Sequence, residues 1–85
     1  MKIQLKFFAN VRERLGCSSE LLELDDTGIS AQQVRELLIA RGGVWAEVLA
    51  PNRALRMACN QQMLNADVEL QDGAELAFFP PVTGG

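Results

Sequence analysis

A chain of 85 residues has room for one modest core and none for a large internal active-site cavity, since a domain this short hides only a little over ~60% of its unfolded surface. Apolar residues at 48% and charged residues at 22% exclude both intrinsic disorder and a fibrous repeat. A net charge of −3 argues against a surface that binds phosphates by releasing counterions, and no apolar run approaches the ~18 residues that span a bilayer, so neither nucleic acid nor membrane is an expected partner.

Lys2 to Phe8 alternates, with Ile3, Leu5 and Phe7 on one side and Lys2, Gln4 and Lys6 on the other, the period of a half-buried strand. Phe8 is the misfit on the polar side. Asn10 is suited to cap a short helix through Leu15, with Gly16 as its stop. Ser18 to Leu24 then reads as a second strand, antiparallel to the first, with Leu22 and Leu24 inward, and Asp25-Asp26-Thr27-Gly28 as a turn.

Ser30 and Gln33 form a capping box, Ile29 is placed to staple against Val34, and Val34, Leu37 and Leu38 make a buried helical stripe. Gly42-Gly43 ends that helix. Val44 to Leu49 gives another short helical turn, broken by Pro51-Asn52, and Trp45 is assigned to packing of this connection. Ala54 to Cys59 reads as a third strand, Asn60-Gln61-Gln62 as a tight turn, and Met63-Leu64 as a short return. After the turn at Asp72-Gly73, Ala74 to Phe79 is the last strand, with Leu76 and Phe78 inward. The order predicts an α+β fold, a mixed sheet of four to five strands on one main helix, with the first and last strands parallel at its centre: the β-grasp arrangement. Residues 1–79 form the domain and 80–85 an extended, flexible Gly-Gly tail.

There is no His and no Tyr, so imidazole-activated nucleophiles are excluded. Cys17 and Cys59 have neither the Cys-x-x-Cys spacing nor the His neighbours of a zinc site, and no metal is expected. Nothing ahead of them resembles a secretory h-region, which points to reduced thiols in the cytoplasm. Cys17 reads either as a reactive thiol or as a loop residue after Gly16; Cys59 reads as a small apolar strand residue.

Chemistry therefore moves to the tail, Pro80-Pro81-Val82-Thr83-Gly84-Gly85. Two prolines cannot continue a sheet ladder and lead the chain into an extended path. Six residues past Phe79 reach roughly 20 Å at ~3.3 Å per residue. Gly84-Gly85 has no Cβ to obstruct a narrow channel, so it can deliver the Gly85 carboxylate into the active site of another protein. That carboxylate is anionic at neutral pH and a poor electrophile until another protein activates it. A mixed anhydride with AMP makes it acylable, and displacement of AMP by sulfide gives a thiocarboxylate, a soft sulfur nucleophile.

The stretch Asp72-Gly73-Ala74-Glu75-Leu76-Ala77-Phe78-Phe79-Pro80-Pro81-Val82-Thr83-Gly84-Gly85, with Phe7-Phe8-Ala9 and Val11-Arg12-Glu13 near the start and Cys59-Asn60-Gln61, resembles the small sulfur-carrier subunits of molybdopterin synthases. These belong to the ubiquitin-like β-grasp superfamily. The likeness runs over nearly the whole chain and is weak from Ala40 to Arg53. It implies a carrier that is not itself an enzyme, with catalytic side chains in a large subunit that holds cyclic pyranopterin monophosphate. It implies an E1-like adenylyltransferase that uses ATP to form glycyl-AMP at Gly85, followed by 1-thioglycine made with sulfur from a cysteine-derived persulfide. The sulfur goes to the dithiolene of the molybdenum cofactor, and the usual form is a heterotetramer of two large and two small subunits. Alternatives are a carrier for thiamin synthesis or tRNA thiolation, a ubiquitin-like protein modifier, or a plain interaction module. Phe8, Met63 and Phe79 are the expected partner-binding patch if they share an exposed face; otherwise Phe8 and Phe79 finish a minor core.

Overall fold

The computed structural model describes residues 1–25 and 27–81. Its elements are β1 (Lys2–Phe7), α1 (Ala9–Leu15), β2 (Ser19–Glu23), α2 (Ala31–Ile39), α3 (Gly43–Val48), β3 (Arg56–Cys59), β4 (Gln62–Met63) and β5 (Glu75–Phe79). The five strands form one mixed sheet in the order β2-β1-β5-β3-β4. β1 and β5 are parallel neighbours, with Leu5 opposite Leu76 and Phe7 opposite Phe78, and every other pairing is antiparallel. This is the β-grasp arrangement expected from the order of elements.

The alternation in β1 does what its period requires: Ile3, Leu5 and Phe7 are buried beneath the helices with Leu76 and Phe78 of β5. Phe7 stacks on Phe78 at 5.8 Å and meets Trp45 edge-on at 5.6 Å, so Trp45 belongs to the core side of α3 as well as to the connection. Burial of each such aromatic side chain contributes about 1.5–3 kcal/mol, enough for these central strands to dominate the stability of so small a domain. The turn before β5 is tied to β1: the Lys2 amide donates to Asp72 Oδ1 at 2.7 Å and the Gly73 amide to the Lys2 carbonyl at 2.7 Å.

Two helix boundaries and one core position differ from the sequence expectation. Asn10 lies inside α1 and caps nothing; Phe8, in extended conformation, precedes the helix, and Gly16 closes it in the left-handed region at φ 74°. α2 has the capping box, with the Gln33 amide donating to Ser30 Oγ at 3.1 Å and the Ser30 amide to Gln33 Oε1 at 2.8 Å. It ends at Ile39, however, and Gly42-Gly43 opens α3 instead of closing α2. Leu37 is exposed, while Val34 and Leu38 are buried and Arg35 takes the third inward place.

The buried Arg35 has a physical reason to be there. The chain leaving α3 turns sharply at Ala50–Arg53 and presents carbonyls with no helical partner. Arg35 Nε donates to Leu49 O at 2.9 Å, and its Nη2 donates to Ala50 O at 2.7 Å and Arg53 O at 3.4 Å. Burial lowers the guanidinium pKa from its usual value, yet that value is high enough to keep the charge. Arg35→Met is expected to cost about 1–3 kcal/mol by leaving the buried Leu49 carbonyl without this donor, while the Ala50 carbonyl keeps the Arg53 amide at 2.9 Å, read as a lower urea midpoint with the denaturant slope unchanged.

A second pin joins β2 to the helical layer. Arg41 grips Glu20 through two bonds, 2.9 Å and 2.5 Å, and its guanidinium lies 4.5 Å over the Trp45 ring. The bond from Arg41 holds the Glu20 carboxyl below its ordinary pKa, against the opposing effect of burial. A carboxylate lowered on folding contributes stability that is complete above the unfolded value and is lost as pH falls through the folded one. Glu20→Gln is therefore expected to melt below the native chain at neutral pH, with the gap closing as pH is lowered from about 5. A gap that stays constant down to the acid limit would contradict this.

Candidate functional site

The open face of the sheet, opposite the helices, is read from register. Lys6 lies opposite Ala77, Ala77 opposite Ala58, and Ala58 opposite Met63, so one row of side chains crosses four strands on this face. One step further toward the end of β5, Phe79 pairs with Arg56. The Phe8 amide donates to Phe78 O at 3.2 Å, which carries the β1–β5 ladder past the end of β1. With Phe8 extended, the pleat puts its ring on the same face as Lys6 and beside Phe79. Ala9 then turns the chain at φ 53°, and the amides of Val11 and Arg12 donate back to the Phe8 carbonyl at 3.1 and 3.3 Å. Phe8 is thus held at the corner where strand becomes helix.

Phe8 and Met63 are 46% and 53% exposed, and Phe79 is half-buried. Between them Ala77 and Ala58 form a floor of buried small residues. Such a shallow apolar dish, rimmed by Lys6 and Arg56, is unusual on a surface that meets only water. Leu21 is half-exposed and pairs with Gln4, so it lies on the same face of the sheet, separated from the dish by Gln4 and Lys6 of β1. The period that put Leu22 and Leu24 inward already left Leu21 on the outer side; the sequence lacked only the register that sets it opposite Gln4.

The hairpin that carries Met63 is locked onto β5. Asn60 and Gln61 both take positive φ, 50° and 68°, the two-residue geometry that suits the twist of paired strands. The Asn60 amide donates to Glu75 O at 2.9 Å, and Asn60 Oδ1 accepts from the Glu75 amide at 3.0 Å. Asparagine tolerates the left-handed region and supplies that extra acceptor, which explains the Asn-Gln pair at this turn.

The arm leaves from the end of β5. Pro80 and Pro81 are half-buried, and Pro80 lines a shallow groove of about 240 Å³ with Asn10, Arg14, Arg53 and Leu55. Val82, Thr83, Gly84 and Gly85, which include the terminal carboxylate singled out above, lie outside the described residues. β5 is the central strand of the sheet, so the arm starts from the most firmly held element and emerges beside the apolar dish.

Elsewhere the described residues offer little chemistry. No three of their His, Cys, Asp or Glu side chains gather into a metal site. Burial first, and the Glu20 carboxylate second, push the Cys17 thiol up, with Arg41 pulling the other way. A thiol so placed is protonated at neutral pH, and Cys17 packs against the core as a loop residue does. No helix among the described residues is long and apolar enough to cross a membrane.

The family model described as the ThiS family matches residues 5–85. The Molybdopterin synthase sulfur carrier subunit of Escherichia coli is 40% identical over 83 residues, covering 98% of this chain and 99% of that protein. Its namesake from Haemophilus influenzae is 39% identical over 83 residues with the same coverage. Among solved structures, the complex of subunits 1 and 2 of the molybdopterin-converting factor from Helicobacter pylori contains a chain of like fold, with a TM-score of 0.68, 22% identity and full coverage of both chains.

Proposed function

The chain belongs to the ThiS family, and from that membership we propose that it is the sulfur-carrier subunit of a molybdopterin synthase, charged and discharged at the Gly85 carboxylate. The observation that carries this reading is the extent of the likeness. It spans 98% of the chain at about 40% identity, and the family match runs through the Gly-Gly end. Both relatives carry the molybdopterin synthase name, so carriers for thiamin or tRNA thiolation are not favoured.

The chemistry follows from what a carboxylate lacks. A Gly85 carboxylate oxygen attacks the α-phosphorus of ATP on an E1-like adenylyltransferase, and pyrophosphate leaves. Sulfide-level sulfur attacks the carbonyl of glycyl-AMP, AMP leaves, and a thiocarboxylate remains. In the large subunit that sulfur displaces an oxygen substituent from a carbon of cyclic pyranopterin monophosphate, so that a C–S bond forms as a C–O bond breaks and the oxygen leaves with its electron pair. Water then cleaves the acyl–sulfur bond, restoring the carboxylate and leaving the sulfur on the pterin. This domain supplies reach and placement, while the catalytic side chains belong to the proteins it visits. Enzyme and carrier thus divide the work, with a dithiolene drawing on more than one loaded carrier.

The apolar dish of Phe8, Ala58, Met63, Ala77 and Phe79 is the surface assigned to the large subunit. Covering it while the arm is inserted removes apolar area from water at the point where the arm must be aimed. The arrangement proposed is a heterotetramer with two copies of each subunit, in the cytoplasm. Reconstitution tests the reading: carrier, activating enzyme, ATP, a sulfur source, large subunit and pterin precursor should together yield a dithiolene. Sulfur that stays on the carrier in the presence of the large subunit and precursor would overturn it.

A further inference from the structure

We propose that the groove beside Pro80 is the resting site of this chain's own arm, in which Arg14 and Arg53 hold the Gly85 carboxylate until another protein draws it out; the effect on charging rests on the carrier reading above. The groove lies between α1, the end of α3 and the segment that enters β3, and Pro80 itself lines it. Pro81 is half-buried as well, so the arm begins against the domain. Val82 to Gly85 add roughly 13 Å at ~3.3 Å per residue, ample for a cavity of about 240 Å³.

The lining matches what the arm carries. Val11, Val48 and Leu55 offer apolar surface to the Val82 methyl groups, and Asn10, exposed and not used as a cap, offers its amide to an extended backbone. No carboxylate lines this groove. Arg14 donates to Glu47 Oε1 at 2.5 Å and Arg53 Nη2 lies 4.0 Å from the same oxygen, so two guanidinium groups divide one carboxylate. A second anion balances the pair, and the Gly85 carboxylate is the one that the chain itself tethers to the groove. The buried Arg35 bonds the Arg53 carbonyl and steadies the segment that carries this guanidinium.

The placement has a consequence for both partners. The groove is on the helical side of the sheet and the dish on its open face, so a resting arm leaves the dish free to meet the large subunit first. An exposed ion pair is weak between separate molecules, but a short tether supplies an effective concentration of about a millimolar or more. An arm held in the groove is closed to the adenylating enzyme, and the apparent affinity of that enzyme falls with the fraction of arms that are free.

The test follows methyl contacts in the isolated full-length chain by NMR, and its charging by the activating enzyme across carrier concentrations. At about 25 mM NaCl the Val82 methyl groups should contact those of Leu55, and the contacts should fade by about 500 mM. Arg14→Gln/Arg53→Gln should lose them and lower the KM for the carrier about two- to fivefold at unchanged kcat, while Glu47→Gln should strengthen them and raise KM. Calorimetry establishes that each variant is folded. The resting site is overturned if the native chain shows no such contacts, if they persist in the double variant, if they form only when the large subunit or the activating enzyme is added, or if KM rises in the double variant. In those cases sulfur still reaches Gly85 and the carrier reading stands. Contacts as expected in a chain that takes up no sulfur at any concentration would overturn the carrier reading and leave the docking in place.

Discussion

Deleting Gly85, or adding one residue after it, is expected to abolish sulfur delivery while leaving the melting temperature of the domain unchanged. Either change shifts the carboxyl carbon by about one residue rise, ~3.3 Å, relative to the protein that activates it. Misplacement of a reacting atom by as little as 1 Å can cost about a hundredfold, so a full residue is expected to cost at least a thousandfold in charging. The buried cluster that holds the fold together runs from Ile3 to Phe78 and does not draw on the arm. Charging is read as the rate of ATP-dependent sulfur incorporation, and folding by calorimetry on the same samples. An extended chain that delivers sulfur at the native rate would remove Gly85 from the mechanism.

The second large effect separates the surface from the core. Phe8→Ala should weaken binding to the large subunit by roughly 10- to 100-fold, the range of an aromatic anchor in an interface, with a midpoint shift of only about 1–5 °C. Phe78→Ala, one ladder position away, empties a fully buried site and should cost about 3–5 kcal/mol, lowering the midpoint by more than about 12 °C. Phe79 is half-buried, so its removal mixes both effects and is the poorer probe. A Phe8→Ala chain as unstable as Phe78→Ala would show that Phe8 finishes a core.

The contrast between these phenylalanines also shows how far the sequence could be read. Phe7 and Phe78 sit in clean period-two strands, and Phe8 stood out because it broke that period. The Ser30–Gln33 box was equally legible, since both of its bonds are local. Arg35 was not, because its partners, Leu49, Ala50 and Arg53, lie 14 to 18 residues away and a charged residue does not announce itself as core. Leu37 was placed inward for the same reason, as an apolar residue at a helical spacing that the packing of α3 leaves uncovered. Asn10 looked like a cap, but the ladder bond from Phe8 to Phe78 holds the chain extended to Phe8 and starts the helix at Ala9.

In the site the same division holds. The Gly-Gly end and the prolines before it are contiguous and were read directly. The alanine floor at Ala58 and Ala77 comes together with Phe79 and Met63 only through the pairing of β1, β5, β3 and β4. No local pattern encodes a register between strands as distant in the chain as β1 and β5.

The mass of the last residue is the most direct measurement. After incubation with the activating enzyme, ATP and a sulfur donor, exchange of one oxygen for sulfur should add about 16 Da, and fragmentation should place that increment on Gly85. An increment on Cys17 or Cys59, or a terminal peptide of unchanged mass after full ATP turnover, would contradict a carrier that works through its C-terminal glycine.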